Sequence, residues 1–351
     1  MSAIPPGALV LVTGANSFIG TNIITHLLDS GYSVRGQVRD LDRCSWLTDF
    51  YSRYGPGRFS LMQVSDISAD NAFSEAAKDC SGIIHTAGIH PFGATDPDDI
   101  IPLEVKTAYN VLAAAAKEPN MRRVVYTSSA WAAHMPRPGE GPYTVDMWTF
   151  DDAAVHSAYN PPEGQTVSGS YIHSANKATT ERAMWSWVKE NNPSFVLNTV
   201  VPDVVLGRIQ KADKQSATTG GFLRMLFYGE NVETVANFVF PQWFVDVGDT
   251  ARLHIAGLVD EDVRGERLLG YAQPFTWNDV LGIFKKLWPE RDFVKDIEGL
   301  EPDQGTINNK RPLEVLKRMG RRGWVSLEES VKDNVESFLH VNEKPTGGIL
   351  G

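Results

Sequence analysis

Gly14, Ser17 and Gly20, in the run Thr13-Gly14-Ala15-Asn16-Ser17-Phe18-Ile19-Gly20, have the types and spacing to cradle a pyrophosphate. The apolar stretch 8–12 before them reads as a buried parallel strand. Behind them Phe18, Ile19, Ile23, Ile24, Leu27 and Leu28 recur at helical spacing, and Gly31 stops the pattern. A helix that opens where a strand ends aims its free N–H groups into the turn, which suits a phosphate. The next strand, 32–38, runs into Arg39. A carboxylate at that place suits the ribose hydroxyl of NAD, whereas an arginine suits a 2′-phosphate, so the reading is NADP(H). Ser17 stands where the usual pattern has a second glycine, so a looser phosphate cradle is expected. A merely structural turn could carry the same glycines; the strand before and the helix after favour the nucleotide.

The elements that must hold this turn follow in regular alternation. Strands are expected at 58–64, 82–85, 122–127 and 195–201, and helices at 71–80, 99–117 and 174–189. Strand–helix alternation of this kind builds a parallel sheet with helices on both faces. The fold class is therefore α/β, a Rossmann-type doubly wound parallel sheet with a smaller, discontinuous C-terminal substrate lobe. The dinucleotide domain is expected to take residues 1–202 plus about 237–262, and the lobe about 203–236 plus 263–351. Thr276-Trp277-Asn278-Asp279 reads as a helix cap and first turn in the lobe. Residues 130–170 show no clean periodicity and hold Trp131, His134, Met135, Tyr143 and Trp148. A loop so long inside a compact domain is usually functional, and this one is read as a wall of the substrate pocket.

Bulk properties exclude several classes. The chain has 351 residues, 42% of them apolar, enough for one large α/β domain and a second lobe. A net charge of −10 with no basic block argues against nucleic acid and anionic membrane surfaces as partners. Cys44 and Cys80 have no metal-like spacing and read as free thiols in a reducing compartment. The first residues run straight into the glycine turn without a basic start or cleavage site, so no signal peptide is expected. The expectation is a cytoplasmic monomer or homodimer, without a metal, acting on a small molecule.

Beyond the glycine turn, Ser128-Ser129 and Ser170-Tyr171-Ile172-His173-Ser174-Ala175-Asn176-Lys177 carry a resemblance. So do His85-Thr86-Ala87-Gly88, Val200-Val201-Pro202, and the stretches 34–40, 124–130, 243–254 and 274–280. Through them the chain resembles the extended short-chain dehydrogenase/reductase family nearly end to end. It is most similar to the group of dihydroflavonol reductases and fungal NADPH-dependent aldehyde and ketone reductases. The resemblance implies that Ser129 hydrogen-bonds the substrate carbonyl oxygen. It implies that Lys177, followed by Glu181 as in the family's pattern, holds the nicotinamide ribose and lowers the acid's pKa.

The same resemblance assigns Gly14, Asn16, Ser17, Phe18, Ile19, Gly20 and Arg39 to the cofactor, with Asp66 and Ile67 along the adenine. Thr86, Ala87 and Gly88 should contact it mostly by backbone, Thr127 should lie beside it, and Pro202 and Val205 should flank the nicotinamide end. Candidate substrate contacts are Trp131, His134, Tyr171, Phe222, Leu226 and Trp243. His85, Asp249 and His254 are assigned structural roles.

One departure outweighs these matches. The family's proton donor is a tyrosine four residues before the lysine, and here that slot is His173. Tyr171 lies six residues before Lys177, on a different face if the helix has begun. Histidine can act as a general acid. The neighbouring lysine charge disfavours imidazolium, and a misplacement of about 1 Å can cost about a hundredfold. Three readings stay open. The first is an NADPH-dependent reductase of a carbonyl or imine-like group on an apolar small molecule of specialised metabolism. Its donor would be His173, or Tyr171 swung inward. The second is a non-redox cyclase, isomerase or dehydratase with His173 as base. The third is a catalytically silent NADP-binding protein. Retention of the serine and lysine argues against the third, although Lys177 would also be kept merely to hold the ribose.

Overall fold

The strand Leu9–Thr13 (β1) alternates its side chains between two helical layers, and this alternation explains its unbroken apolar run. Val10 and Val12 pack with Ile23, Ile24, Leu27, Leu253 and Ala256 on one face. Leu11 packs with Ile83, Val111, Leu112, Val124 and Met184 on the other. The computed structural model describes residues 2–89, 93–137, 139–215 and 217–341. β1 lies within a seven-stranded sheet with β2 (Ser33–Val38), β3 (Phe59–Gln63), β4 (Gly82–His85) and β5 (Arg123–Thr127). Val196–Pro202 and Arg267–Gly270 complete it beyond β5. Every pairing is parallel, and β1 lies between β2 and β4, where the chain reverses its direction of progress across the sheet. Ligands of such sheets bind beyond the strand C-termini at this switch point.

The helix Phe18–Asp29 (α1) and the helix Val247–Val259 cover one face, and Ile101–Lys117 and Gly169–Asn191 cover the other. The lobe is built on a three-stranded sheet of Gln273–Phe275, Gln242–Asp246 and Val204–Leu206. Its helices Thr218–Tyr228, Trp277–Leu287 and Leu327–Phe338 enclose Phe227, Phe244, Trp277, Phe284 and Phe338. Each such side chain contributes about 1.5–3 kcal/mol on burial. The expected cap is present as a reciprocal capping box between Thr276 and Asp279.

Three sequence expectations change. Arg267–Gly270, assigned to the lobe, is an edge strand of the main sheet, paired with Val196–Pro202. A parallel partner can lie far away in sequence, so local pattern cannot place it. The stretch 130–170 is not structureless. It carries the helices Ala130–Ala133 and Asp152–Tyr159, and Tyr143–Val145 pairs with Gly305–Ile307. Asp152–Tyr159 buries only Ala154 and Ala158, too faint a stripe to read in sequence. The helix expected at 71–80 shrinks to Ser74–Ala77, because Asn71 and Asp79 adopt left-handed backbone at φ 58° and 64°. No helix among the described residues is long and apolar enough to cross a membrane.

Candidate active site

The glycine turn fits a nucleotide on its own geometry. Gly14 has φ 64°, a left-handed conformation that glycine adopts at no steric cost. A Cβ at Gly20 would collide with the Gly14 carbonyl, so α1 can start this close to β1 only with glycine there. Ser17 does not loosen the turn. Its φ is −74°, which needs no glycine, and its hydroxyl accepts from the Gly20 amide at 3.0 Å as the helix cap. The first i→i−4 bond of α1 runs from Thr21 to Ser17, so the helix itself supplies no acceptor for the Phe18 and Ile19 amides. Asn16 is exposed, and Arg39 is exposed just past β2. The Phe18 side chain faces away into the lobe core, so only its backbone is left for a ligand. Ile19 is half-buried between the two main cores.

Gln215 is a support that sequence reasoning missed. Buried beside the turn, it donates to the carbonyls of Asn16 and Ser17 at 3.1 and 3.2 Å and to the Thr21 hydroxyl at 3.0 Å. A glutamine in an aperiodic loop gives no local sign of this.

Asp66 is exposed and accepts from the backbone and hydroxyl of Ser68, while Ile67 is buried. Thr86 and Ala87 turn their amides inward. Both amides donate to the Thr13 hydroxyl at 3.0 Å, and the Thr86 hydroxyl donates to the Thr13 carbonyl. Their N–H groups are thus spent on joining β4 to β1. His85 completes this knot, with Nδ1 2.8 Å from the Thr13 hydroxyl. Burial first, and then the Lys177 charge, lower its pKa to about 3. Pro202 closes the strand Val196–Pro202, and Val205 is buried in the next one.

The proposed chemical groups gather beyond the end of β5. Ser129 caps the helix Ala130–Ala133, its hydroxyl accepting from the Trp131 amide at 3.2 Å. The helix Gly169–Asn191 begins well before the expected residue 174, so Tyr171, His173 and Lys177 are all helical. His173 and Lys177 fall one turn apart, and Tyr171 falls on another face, where it packs against two apolar clusters. The His173 ring meets Trp131 edge-to-face at 5.7 Å. Lys177 Nζ lies 3.4 Å from the Thr127 carbonyl and 3.3 Å from the Tyr126 hydroxyl. Burial lowers the Lys177 pKa, opposed by Glu104 and Glu181. Glu104, not foreseen from sequence, puts Oε1 3.9 Å from that ammonium. It lies on the buried face of Ile101–Lys117, where a carboxylate is easily mistaken for a helix-surface charge.

Thr127 bonds His254 Nε2 at 2.7 Å, and Asp249 accepts from the Val325 amide, so His254 and Asp249 act as ties between elements. Glu181 is sealed among Ser128, Thr199 and Arg267, and Arg267 also donates to the carbonyls of Met147 and Thr149. This network fixes Ser128, beside Ser129, and the stretch 147–149 to the sheet.

Of the substrate candidates, Trp131, Tyr171 and Trp243 meet in one cluster with Tyr143 and Tyr271. The Trp131 indole donates to Gln242 at 2.8 Å, and the Trp243 indole donates to Asp303 at 3.1 Å. His134 stacks on Tyr143 at 3.6 Å and pairs with Glu140. Phe222 and Leu226 are not in this wall. They sit in the lobe core, Phe222 against Phe238 and Trp277, because their helix buries its apolar stripe on its own sheet. Asp203 joins the wall unforeseen, accepting from the Val204 and Trp243 amides. Burial and the charge of Asp303 push its pKa well up. A groove lined by Gln273, Asn278, Lys286 and Glu328 includes none of the candidate residues.

A dinucleotide-type turn, a parallel sheet and a Ser–His–Lys constellation at the end of β5 define the class. The profile of the 3-beta hydroxysteroid dehydrogenase/isomerase family matches residues 11–179. The chain is 35% identical to aldehyde reductase 2 of Sporidiobolus salmonicolor, over 96% of this chain and 97% of that protein. It is 40% identical to ketoreductase adrE of Penicillium rubens, over 95% and 97%. The yeast methylglyoxal/isovaleraldehyde reductase Gre2, solved with NADPH, superposes with a TM-score of 0.78 at 24% identity, covering 94% of this chain and 98% of that one. The chain belongs to the extended short-chain dehydrogenase/reductase family.

Proposed function

We propose that this protein is an NADPH-dependent reductase of a ketone or aldehyde on an apolar small molecule, with His173 as the proton donor. The observation that carries the reading is that His173 and Lys177, one helical turn apart, flank the segment 127–131 that bears Ser129. When bound, the reduced nicotinamide supplies a hydride to the carbonyl carbon. Ser129 donates a hydrogen bond to the carbonyl oxygen as charge develops there. The His173 imidazolium gives that oxygen its proton and is left neutral, so that an alcohol and the oxidised cofactor result. Lys177 holds the ribose hydroxyls, and Arg39 takes the 2′-phosphate. Trp131, Tyr171 and Trp243 offer an aromatic wall to an apolar skeleton. The names of the two curated relatives, an aldehyde reductase and a ketoreductase, support the same reaction.

The test is NADPH oxidation followed at the nicotinamide absorbance with a panel of ketones and aldehydes. Wild type should turn over apolar members, and His173→Gln should lose about 10²–10⁴-fold. Full activity of His173→Gln removes His173 from the reaction. Conversion of a substrate with unchanged absorbance would instead establish a non-redox enzyme.

A further inference from the structure

A buried cation one turn from an imidazole works against its protonation, because both like charges must share a medium of low dielectric. Lys177 stands in that relation to His173. Left uncompensated, its ammonium would deplete the imidazolium near neutral pH.

The charge is not left uncompensated. Glu104, from the facing helix Ile101–Lys117, presents Oε1 3.9 Å from Lys177 Nζ, and its side chain is 1% exposed. The Ile89 amide donates to Oε2 at 2.7 Å and fixes the carboxylate. Oε1 has no hydrogen-bond donor among the described residues. Space for it comes from Gly88, where a Cβ would stand 2.8 Å from Oε1. One amide thus anchors the carboxylate and one glycine admits it, on the side where Lys177 is buried.

The other ionisable groups on elements packed against Gly169–Asn191 are paired, neutral or at the surface. Glu181 is bonded to Arg267, Arg182 to Asp152, Arg137 to Asp151, and Lys106 to Asp70. Tyr126, whose hydroxyl faces Nζ, is held neutral by burial, and so is His85 behind it. His156, Asp98 and Asp99 are exposed, and Tyr171 turns to a different face. Glu104 is the one carboxylate set against Lys177 that no other cation claims among the described residues.

We propose that Glu104 is a positioning residue whose carboxylate cancels the charge of Lys177, so that His173 can hold a proton at neutral pH. Ionised, the pair has zero net charge, so His173 faces a short dipole in place of a bare ammonium. The inference rests on the reading of His173 as the proton donor, but its test does not need turnover.

The experiment titrates His173 in the full-length protein saturated with NADP+, using nitrogen-labelled histidine and NMR. The resonance is assigned by its loss in His173→Gln. Glu104→Gln should lower the His173 pKa by about one unit. Glu104→Asp, which keeps the charge, should lower it by less than half as much, and it replaces Glu104→Gln if that variant does not fold. A charge effect must keep its sign with a phenol at the same place. In His173→Tyr, adding Glu104→Gln should lower the tyrosine pKa, because the freed ammonium favours phenolate. A purely structural change in burial would instead move the two in opposite directions, because burial lowers a histidine pKa and raises a tyrosine pKa. An unchanged His173 titration in both Glu104 variants overturns the proposal. Full activity of His173→Gln with a shifted titration would instead overturn the proton-donor reading and leave the charge coupling standing.

Discussion

Arg267 and Glu181 face each other with both side chains closed to solvent, joined by Nε–Oε1 at 2.8 Å and Nη2–Oε2 at 3.0 Å. The pair unites the edge strand Arg267–Gly270 with the helix that carries His173 and Lys177. Through Ser128 and the carbonyls of Met147 and Thr149 it also reaches the ends of β5 and of the segment after it. Removing one partner strands the other as a buried charge. Arg267→Met should therefore destabilise the fold by about 3–5 kcal/mol, far more than loss of a surface pair. Denaturant unfolding measures this, and a loss below about 1 kcal/mol would show the pair to be dispensable.

Arg39 stands exposed at the end of β2, in the place where a ribose hydroxyl or a 2′-phosphate is sensed. Losing a charge-assisted contact of this kind costs about 10- to 100-fold in affinity. Arg39→Glu should weaken NADPH binding by that factor and leave NADH equal or better, as read by isothermal titration with each cofactor. A preference for NADPH that survives the change would move 2′-phosphate recognition to another residue.

His85 is fully buried against Thr13, and burial with the nearby Lys177 charge holds its pKa at about 3. In the unfolded chain it titrates near 6.5. The unfolded state therefore binds the extra proton between these values. The stabilising contribution of neutral His85 is complete above about pH 6.5 and is lost as pH falls toward 3. Between pH 7 and pH 5, wild type should lose about 2 kcal/mol more stability than His85→Asn. Urea midpoints of both proteins at the two pH values give this double difference, which also removes the opposing contribution of Asp246, raised to about 6. Equal losses in the two proteins would mean that His85 is protonated in the fold.

The parts of the site legible in sequence were those encoded within one turn or one repeat. The glycine turn could be read because φ 64° at Gly14 and the contact at Gly20 each demand a residue without Cβ. The relation of His173 to Lys177 could be read because four residues make one helical turn. At Ser17 the glycine slot is filled by a residue whose hydroxyl caps the helix, a role its sequence position did not reveal. The amides of Thr86 and Ala87 turn back to Thr13, a partner more than 70 positions away that no local pattern could show.

From its sequence alone, the chain declares an alternating strand–helix sheet, a glycine turn between the first strand and helix, an arginine at the end of the second strand and a histidine four residues before a lysine. All are local, because period, steric demand and helix spacing act over a few residues. Only the folded molecule brings Glu104 to Lys177, Arg267 to Glu181 and Gln215 to the first turn of α1, and sends Phe222 and Leu226 into the lobe core. Those relations join distant segments, and burial, which decides the charge of each such group, exists only once the layers have closed over it.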